Sequence, residues 1–87
     1  MMQTFKADIL HETKMLQVLF SRIAAPGSKY FVELKLDDSV VAHFEMQKDQ
    51  FNKWKVTTPV HGWVLQLENQ LAQVIIKNNF ITAVQPY

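Results

Sequence analysis

The sequence predicts an α+β domain in which an antiparallel β-meander of about five strands is covered on one face by a C-terminal helix. Turn-forming residues recur roughly every 12 residues through the first two-thirds of the chain, the spacing of consecutive short strands. The segments between these turns alternate apolar and polar residues, as half-buried strands do. The last third repeats its apolar residues at helical spacing.

Composition indicates one domain spanning residues 1–87. Apolar residues make up 48% of the chain, which is enough to form a core. There are no cysteines, and a domain this small in an oxidising compartment often carries disulfides, so we expect the cytoplasm. The first residues do not resemble a signal peptide. Nor does any apolar run approach the length of a membrane span.

Turns are predicted at residues 11–14, 25–28, 37–39 and 49–52. The length of each turn determines which residues of the two flanking strands face each other. We choose turn lengths that bring the apolar residues of all strands to one side of the sheet. The main predicted pairs are Phe5 with Phe20, Phe20 with Tyr30, Val32 with Phe44, Leu36 with Val40, and Met46 with Trp54. Phe44 and Trp54 should therefore lie in the core beneath the helix.

The second strand is the ambiguous element. Its apolar residues Leu16, Leu19, Phe20 and Ile23 also fit a helical stripe. A split β-α-β arrangement with a helix at about 13–24 therefore remains the alternative fold.

The C-terminal helix has recognisable ends. Thr58 is a suitable N-cap, Pro59 suits the first helical position, and Asn78 and Asn79 can end a helix. Because Gly62 weakens the first turn, a start at His61 or Gly62 is the alternative. The apolar stripe between them consists of Val60, Val64, Leu67, Leu71, Val74 and Ile75. The apolar segment 80–84 is predicted to add an edge strand or to dock on another subunit.

Residues typical of catalysis or metal binding are scattered. The three histidines occupy separate segments and have no cysteine nearby, and His43 is expected to face Glu33 across a strand pair. Two glycines are too few for a phosphate-binding loop. We therefore predict no catalytic residue, cofactor or metal, and a protein that is not an enzyme.

Nine basic and eight acidic residues give a net charge of +1 and form no run of one sign. Basic and aromatic residues interleave only over residues 48–55, and alternation places Trp54 of that segment in the core. This argues against nucleic-acid binding, which usually needs a basic face.

The outer face of the sheet, which the helix leaves open, is the candidate interface. Its apolar residues are Leu10, Met15, Leu19, Phe31 and Val41, with Leu19 expected opposite Phe31. Because exposed apolar clusters mark interfaces, the sequence predicts a self-associating protein-interaction module, most simply a homodimer. The alternatives are a carrier holding a lipid or small molecule between helix and sheet, and an enzyme subunit whose site forms only in an oligomer.

Overall fold

The computed structural model describes the backbone of residues 3–23 and 29–84, and the side chains of residues 4–23 and 29–78. Five strands precede two helices. They are β1 (Gln3–His11), β2 (Lys14–Ile23), β3 (Lys29–Leu36), β4 (Ser39–Lys48), β5 (Trp54–Val56), α1 (Gly62–Leu65) and α2 (Glu68–Val84). The strands form one antiparallel sheet in chain order, which confirms the predicted meander and its α+β class.

Segment 13–24 contains strand β2, so the split β-α-β alternative is wrong. Leu16, Val18 and Phe20 alternate with more exposed neighbours, which is the burial pattern of a strand with one face in the core. Good helix formers in this segment give only a weak local preference, and pairing with β1 and β3 on either side overrides it.

The β1–β2 register is as predicted, with Phe5 facing Phe20. The hairpin closes on the pair His11–Lys14, so the turn itself is only two residues long. Glu12 takes a positive φ of 57° there, as the first residue of a tight hairpin turn requires.

The β3–β4 hairpin keeps the predicted pairing of Val32 with Phe44, but its turn differs. The turn has two residues, Asp37 and Asp38, both with positive φ, which is the pattern of a type I′ turn. Leu36 therefore faces Ser39 instead of Val40, and a bulge next to Leu34 restores the predicted register.

Two other registers slip by two residues. Phe20 faces Val32 instead of Tyr30, and Met46 faces Val56 instead of Trp54. Because the side-chain period of a strand is two, both slips keep the apolar residues on the predicted face. The loop predicted at residues 25–28 lies outside the described residues.

The Thr58 cap and the predicted C-terminal end of the helix are wrong, whereas the later start at Gly62 is the one that the weakened first turn allowed. Thr58 does not cap the helix: its hydroxyl oxygen accepts a hydrogen bond from the backbone N–H of Glu45 at 3.1 Å. The first helix begins at Gly62. At the other end, α2 continues past Asn78 to Val84, so residues 80–84 are helical and not a strand. The helix propensity of Asn is only modestly poor, which is too weak a signal to end a helix.

The helices cover one face of the sheet, and the core lies between the two layers. Its buried side chains are Ile9, Leu16, Val18, Phe20, Tyr30, Val32, Leu34, Phe44, Met46, Trp54, Val64, Leu67, Leu71, Ala72 and Ile75. The predicted burial of Phe44 and Trp54 is confirmed. Aromatic rings add directional contacts, since the rings of Phe5 and Phe20 stack at 4.6 Å and that of Tyr30 meets Trp54 edge-on at 5.3 Å.

Candidate interaction surface

The five residues of the predicted interface lie on strands β1 to β4. Leu10 and Met15 are the most exposed, at 57% and 54%, and they face each other in the pair next to the β1–β2 turn. Leu19 and Phe31 are half-buried near the middle of the sheet. Val41 lies at the β4 bulge and borders a groove of about 350 Å³ that Val60 and His61 also line.

Leu19 does not face Phe31 as predicted. Because the β2–β3 register slips by two residues, Leu19 faces Glu33 on one side and Lys6 on the other. Apolar and charged residues therefore interleave at the centre of the outer face, and the predicted residues do not form one continuous apolar patch.

Phe31 has its own set of neighbours. It faces Ser21 on β2 and Glu45 on β4, and its ring lies 5.9 Å from that of His43. His43 faces Glu33, as predicted. Glu45 forms an ion pair of 3.0 Å with Lys29, whose side chain is about one-third exposed. Ion pairs this exposed contribute little stability. Polar and charged residues surround the Phe31 side chain in this part of the face.

The edge of the sheet at β1 is open. Over its nine residues β1 pairs with β2 alone, and no second strand lies beside it in the described part of the chain. The two residues that flank a two-residue hairpin turn, here His11 and Lys14, exchange backbone hydrogen bonds. Along an antiparallel strand pair, such hydrogen-bonded pairs alternate with pairs that are not hydrogen-bonded. Odd-numbered residues of β1 therefore bond to β2. The even-numbered residues, which direct their N–H and C=O groups outward, are Thr4, Lys6, Asp8 and Leu10.

The opposite edge consists of β5, which is short and closed, and of the part of β4 that lies beyond its pairing with β5. β5 has three residues, and the outward N–H of Val56 donates a hydrogen bond of 2.9 Å to the carboxylate of Glu68 in the first turn of α2. The same carboxylate lies 3.5 Å from the ammonium of Lys55. A helix side chain thus occupies the position that another strand would need.

The β4–β5 connection carries Phe51, which at 71% is the most exposed aromatic side chain in the described part of the chain. Asp49 shapes this loop, because its carboxylate accepts hydrogen bonds from the backbone N–H groups of Lys53 and Phe51. The bond from Lys53 does most to hold the pKa of Asp49 below its ordinary value. Nearby Lys55 is paired with Glu68, so the basic character of this segment is partly neutralised.

Catalytic and metal-binding groups do not converge within the described ranges, where no three His, Asp or Glu side chains are placed to hold a metal ion. His11 contacts the ring of Trp63 at 5.7 Å, and His61 precedes α1 without capping it through its side chain. Over the same ranges, no helix is long and apolar enough to cross a membrane.

Sequence patterning did not identify the β1 edge as a site. Lys6 and Asp8 are alternate, exposed residues of opposite charge on the outer face of this strand. Their spacing is visible in the sequence, but its meaning depends on β1 being an edge strand, which only the strand order establishes.

Comparison of the chain with protein-family models, with curated proteins and with solved structures found no match.

Proposed function

We propose that the protein is a non-enzymatic protein-interaction module that associates with itself through the β1 side of its sheet. The observation that carries this proposal is the open nine-residue edge of β1. A long edge strand presents unpaired N–H and C=O groups, which are a template for pairing with another chain. Proteins that stay monomeric usually shorten, bend or cover such an edge, as this chain does at β5.

Exposed apolar side chains next to the β1 edge also favour association through this side of the sheet. Leu10 and Met15 are exposed, adjacent and at the end of the β1–β2 hairpin. Apolar side chains removed from water on association contribute roughly 25 cal/mol per Å² of buried area. Leu19 is half-buried and separated from this pair by Asp8 and Gln17, so the apolar area lies at the turn end of the hairpin.

The carrier hypothesis has less support. A ligand between helix and sheet needs a void there, and side chains lining a water-sized void would retain accessible surface. Phe20, Leu34 and Met46 from the sheet and Leu71 and Ile75 from α2 have none. The layers therefore meet directly at these residues.

Nucleic-acid binding is also weakly supported. The lysines that would form a basic face are interleaved with carboxylates, and two of them, Lys29 and Lys55, are in ion pairs. Phe51 is exposed enough to stack on a base but stands alone among the exposed aromatic residues that the structure describes. The cysteine-free sequence fits a reducing compartment, and we propose the cytoplasm.

Sedimentation velocity of the wild-type protein tests the proposal. We expect a concentration-dependent shift from the mass of one chain to that of two between about 1 and 100 μM, the range of weak but specific association. A protein that sediments as a single chain throughout this range contradicts self-association. Co-sedimentation with a labelled oligonucleotide that weakens with salt would favour nucleic-acid binding instead.

A further inference from the structure

We infer that the partner is a second copy of this chain whose β1 pairs antiparallel with β1 about a two-fold axis at Ala7. This rests on the proposed function and names its geometry. In this arrangement Lys6 faces Asp8 of the partner subunit, and the two sheets join into one. An antiparallel pair of identical strands is self-complementary, as an interface with two-fold symmetry must be.

The residues of β1 that direct their backbone N–H and C=O groups outward are placed correctly for this register. The outward-directed residues Thr4, Lys6, Asp8 and Leu10 are all even-numbered. An axis at Ala7 places Thr4 opposite Leu10 of the partner subunit and Lys6 opposite Asp8 of the partner subunit. Each outward N–H and C=O group of one strand therefore meets an outward group of the other.

Charge selects this register over its neighbours. Lys6 and Asp8 are exposed and form no ion pair within the described part of the chain. Moving the axis by one residue places Lys6 opposite its own copy, or Asp8 opposite its own copy. Like charges directly opposite each other destabilise a strand pair, whereas opposite charges stabilise it. Only the axis at Ala7 converts both free charges into cross-strand ion pairs.

The core face of β1 is compatible with the same register. Ala7 lies on the axis, where its small side chain lets the two strands approach closely. Phe5 would lie opposite Ile9 of the partner subunit. In the single chain Phe5 is half-buried, with its ring stacked on Phe20. Pairing would add an apolar neighbour from the partner subunit to the contacts that Phe5 already makes with Phe20 and Tyr30.

Pairing β1 with β1 uses the same edge of both chains, so the assembly closes at two chains about its two-fold axis. The opposite edge is different. It consists of β5, where Glu68 accepts from Val56, and of the part of β4 that extends beyond β5 and borders the groove lined by Val60 and His61. β1 contains no proline, glycine or bulge that would hinder pairing, and its exposed charges, Lys6 and Asp8, are of opposite sign and can pair across the dimer.

Single cysteines test the register, because the chain has no cysteine of its own. In a non-hydrogen-bonded antiparallel pair, facing Cα atoms lie about 4.5 Å apart, which a disulfide can bridge. We expect Ala7→Cys to form a disulfide-linked dimer under mild oxidation. Thr4→Cys is the matched control: the two copies of residue 4 would be roughly 20 Å apart at about 3.4 Å per residue, and should stay unlinked.

Charge reversal provides a second test that does not depend on residue 7. Lys6→Glu and Asp8→Lys should each raise the dimer dissociation constant on the order of tenfold, since each places like charges in two symmetric pairs. The double variant Lys6→Glu/Asp8→Lys should restore wild-type affinity. A dimer that Ala7→Cys does not link, and that charge reversal does not weaken, overturns the register but leaves self-association standing. A wild-type protein that stays monomeric overturns both.

Discussion

The carboxylate of Glu68 accepts a hydrogen bond of 2.9 Å from the backbone N–H of Val56 and so joins α2 to the edge of the sheet. The Glu68 side chain is mostly buried, at 19% exposure, and its other oxygen is 3.5 Å from the ammonium of Lys55. One side chain therefore anchors the helix and closes the β5 edge.

Replacing Glu68 by Ala should lower the free energy of unfolding by about 1–3 kcal/mol, the cost of removing a charged hydrogen-bond acceptor from a partly buried donor. Glu68→Gln is the matched control, because its amide oxygen can still accept from Val56. Urea denaturation at neutral pH measures both changes. Equal losses for Ala and Gln would show that this hydrogen bond is not what Glu68 contributes.

Phe44 tests the core. Its side chain is 2% exposed and lies between the sheet and the helices. We expect Phe44→Ala to cost about 3–5 kcal/mol, which is close to the whole stability of many domains of this size. Phe51→Ala, at an exposed loop position, should change stability by less than about 0.5 kcal/mol. Thermal or urea unfolding measures the stability of both variants. Similar losses of stability for the two would contradict the placement of Phe44 in the core.

Phe31 distinguishes edge pairing from stacking of the outer faces. It lies on β3, two strands from the open edge and so roughly 10 Å from it. We expect Phe31→Thr, which keeps a strand-forming residue, to leave the dimer dissociation constant unchanged in sedimentation. Phe31→Glu is a poorer choice because Glu45 faces this position. A strong shift to monomer in folded Phe31→Thr would favour face stacking, with Leu19 and Phe31 at its centre.

Asp49 gives a pH dependence of known sign. The backbone N–H of Lys53 is the main reason that its pKa lies below the ordinary value, and that of Phe51 lowers it further. A carboxyl whose pKa is lower in the folded state contributes stability above its unfolded pKa and loses it as the pH falls through the folded pKa. Asp49→Ala should therefore destabilise the protein at neutral pH and have little effect in acid. A destabilisation that is the same at both pH values would contradict this role of the carboxylate.

The sequence pattern predicts which side of each strand faces the core more reliably than it predicts strand register. Phe20 faces Val32 instead of Tyr30, and Met46 faces Val56 instead of Trp54. Both registers slip by two residues, so each side chain stays on the face of the sheet that the sequence predicts. Loop lengths depend on local chemistry that alternation does not encode. Asp49, for example, closes a longer connection with its side chain, and Asn52 takes a positive φ there.

The candidate site was only partly predictable for a related reason. The outer-face position of Leu19 and Phe31 follows from alternation, but their neighbours depend on the β2–β3 register. The importance of Lys6 and Asp8 depends on a property of the whole sheet, namely that β1 has no second neighbouring strand among the residues that the structure describes. No local pattern in the sequence carries that information.

Backbone amide exchange in the wild-type protein, followed by NMR at low and high protein concentration, tests the β1 pairing most directly. The amides of Phe5, Ala7 and Ile9 should be protected at all concentrations, because they bond to β2. Those of Lys6 and Asp8 should exchange freely in the monomer and become protected as the dimer forms. If the amides of Lys6 and Asp8 still exchange freely at a concentration where sedimentation shows a dimer, the β1 edge is not the interface.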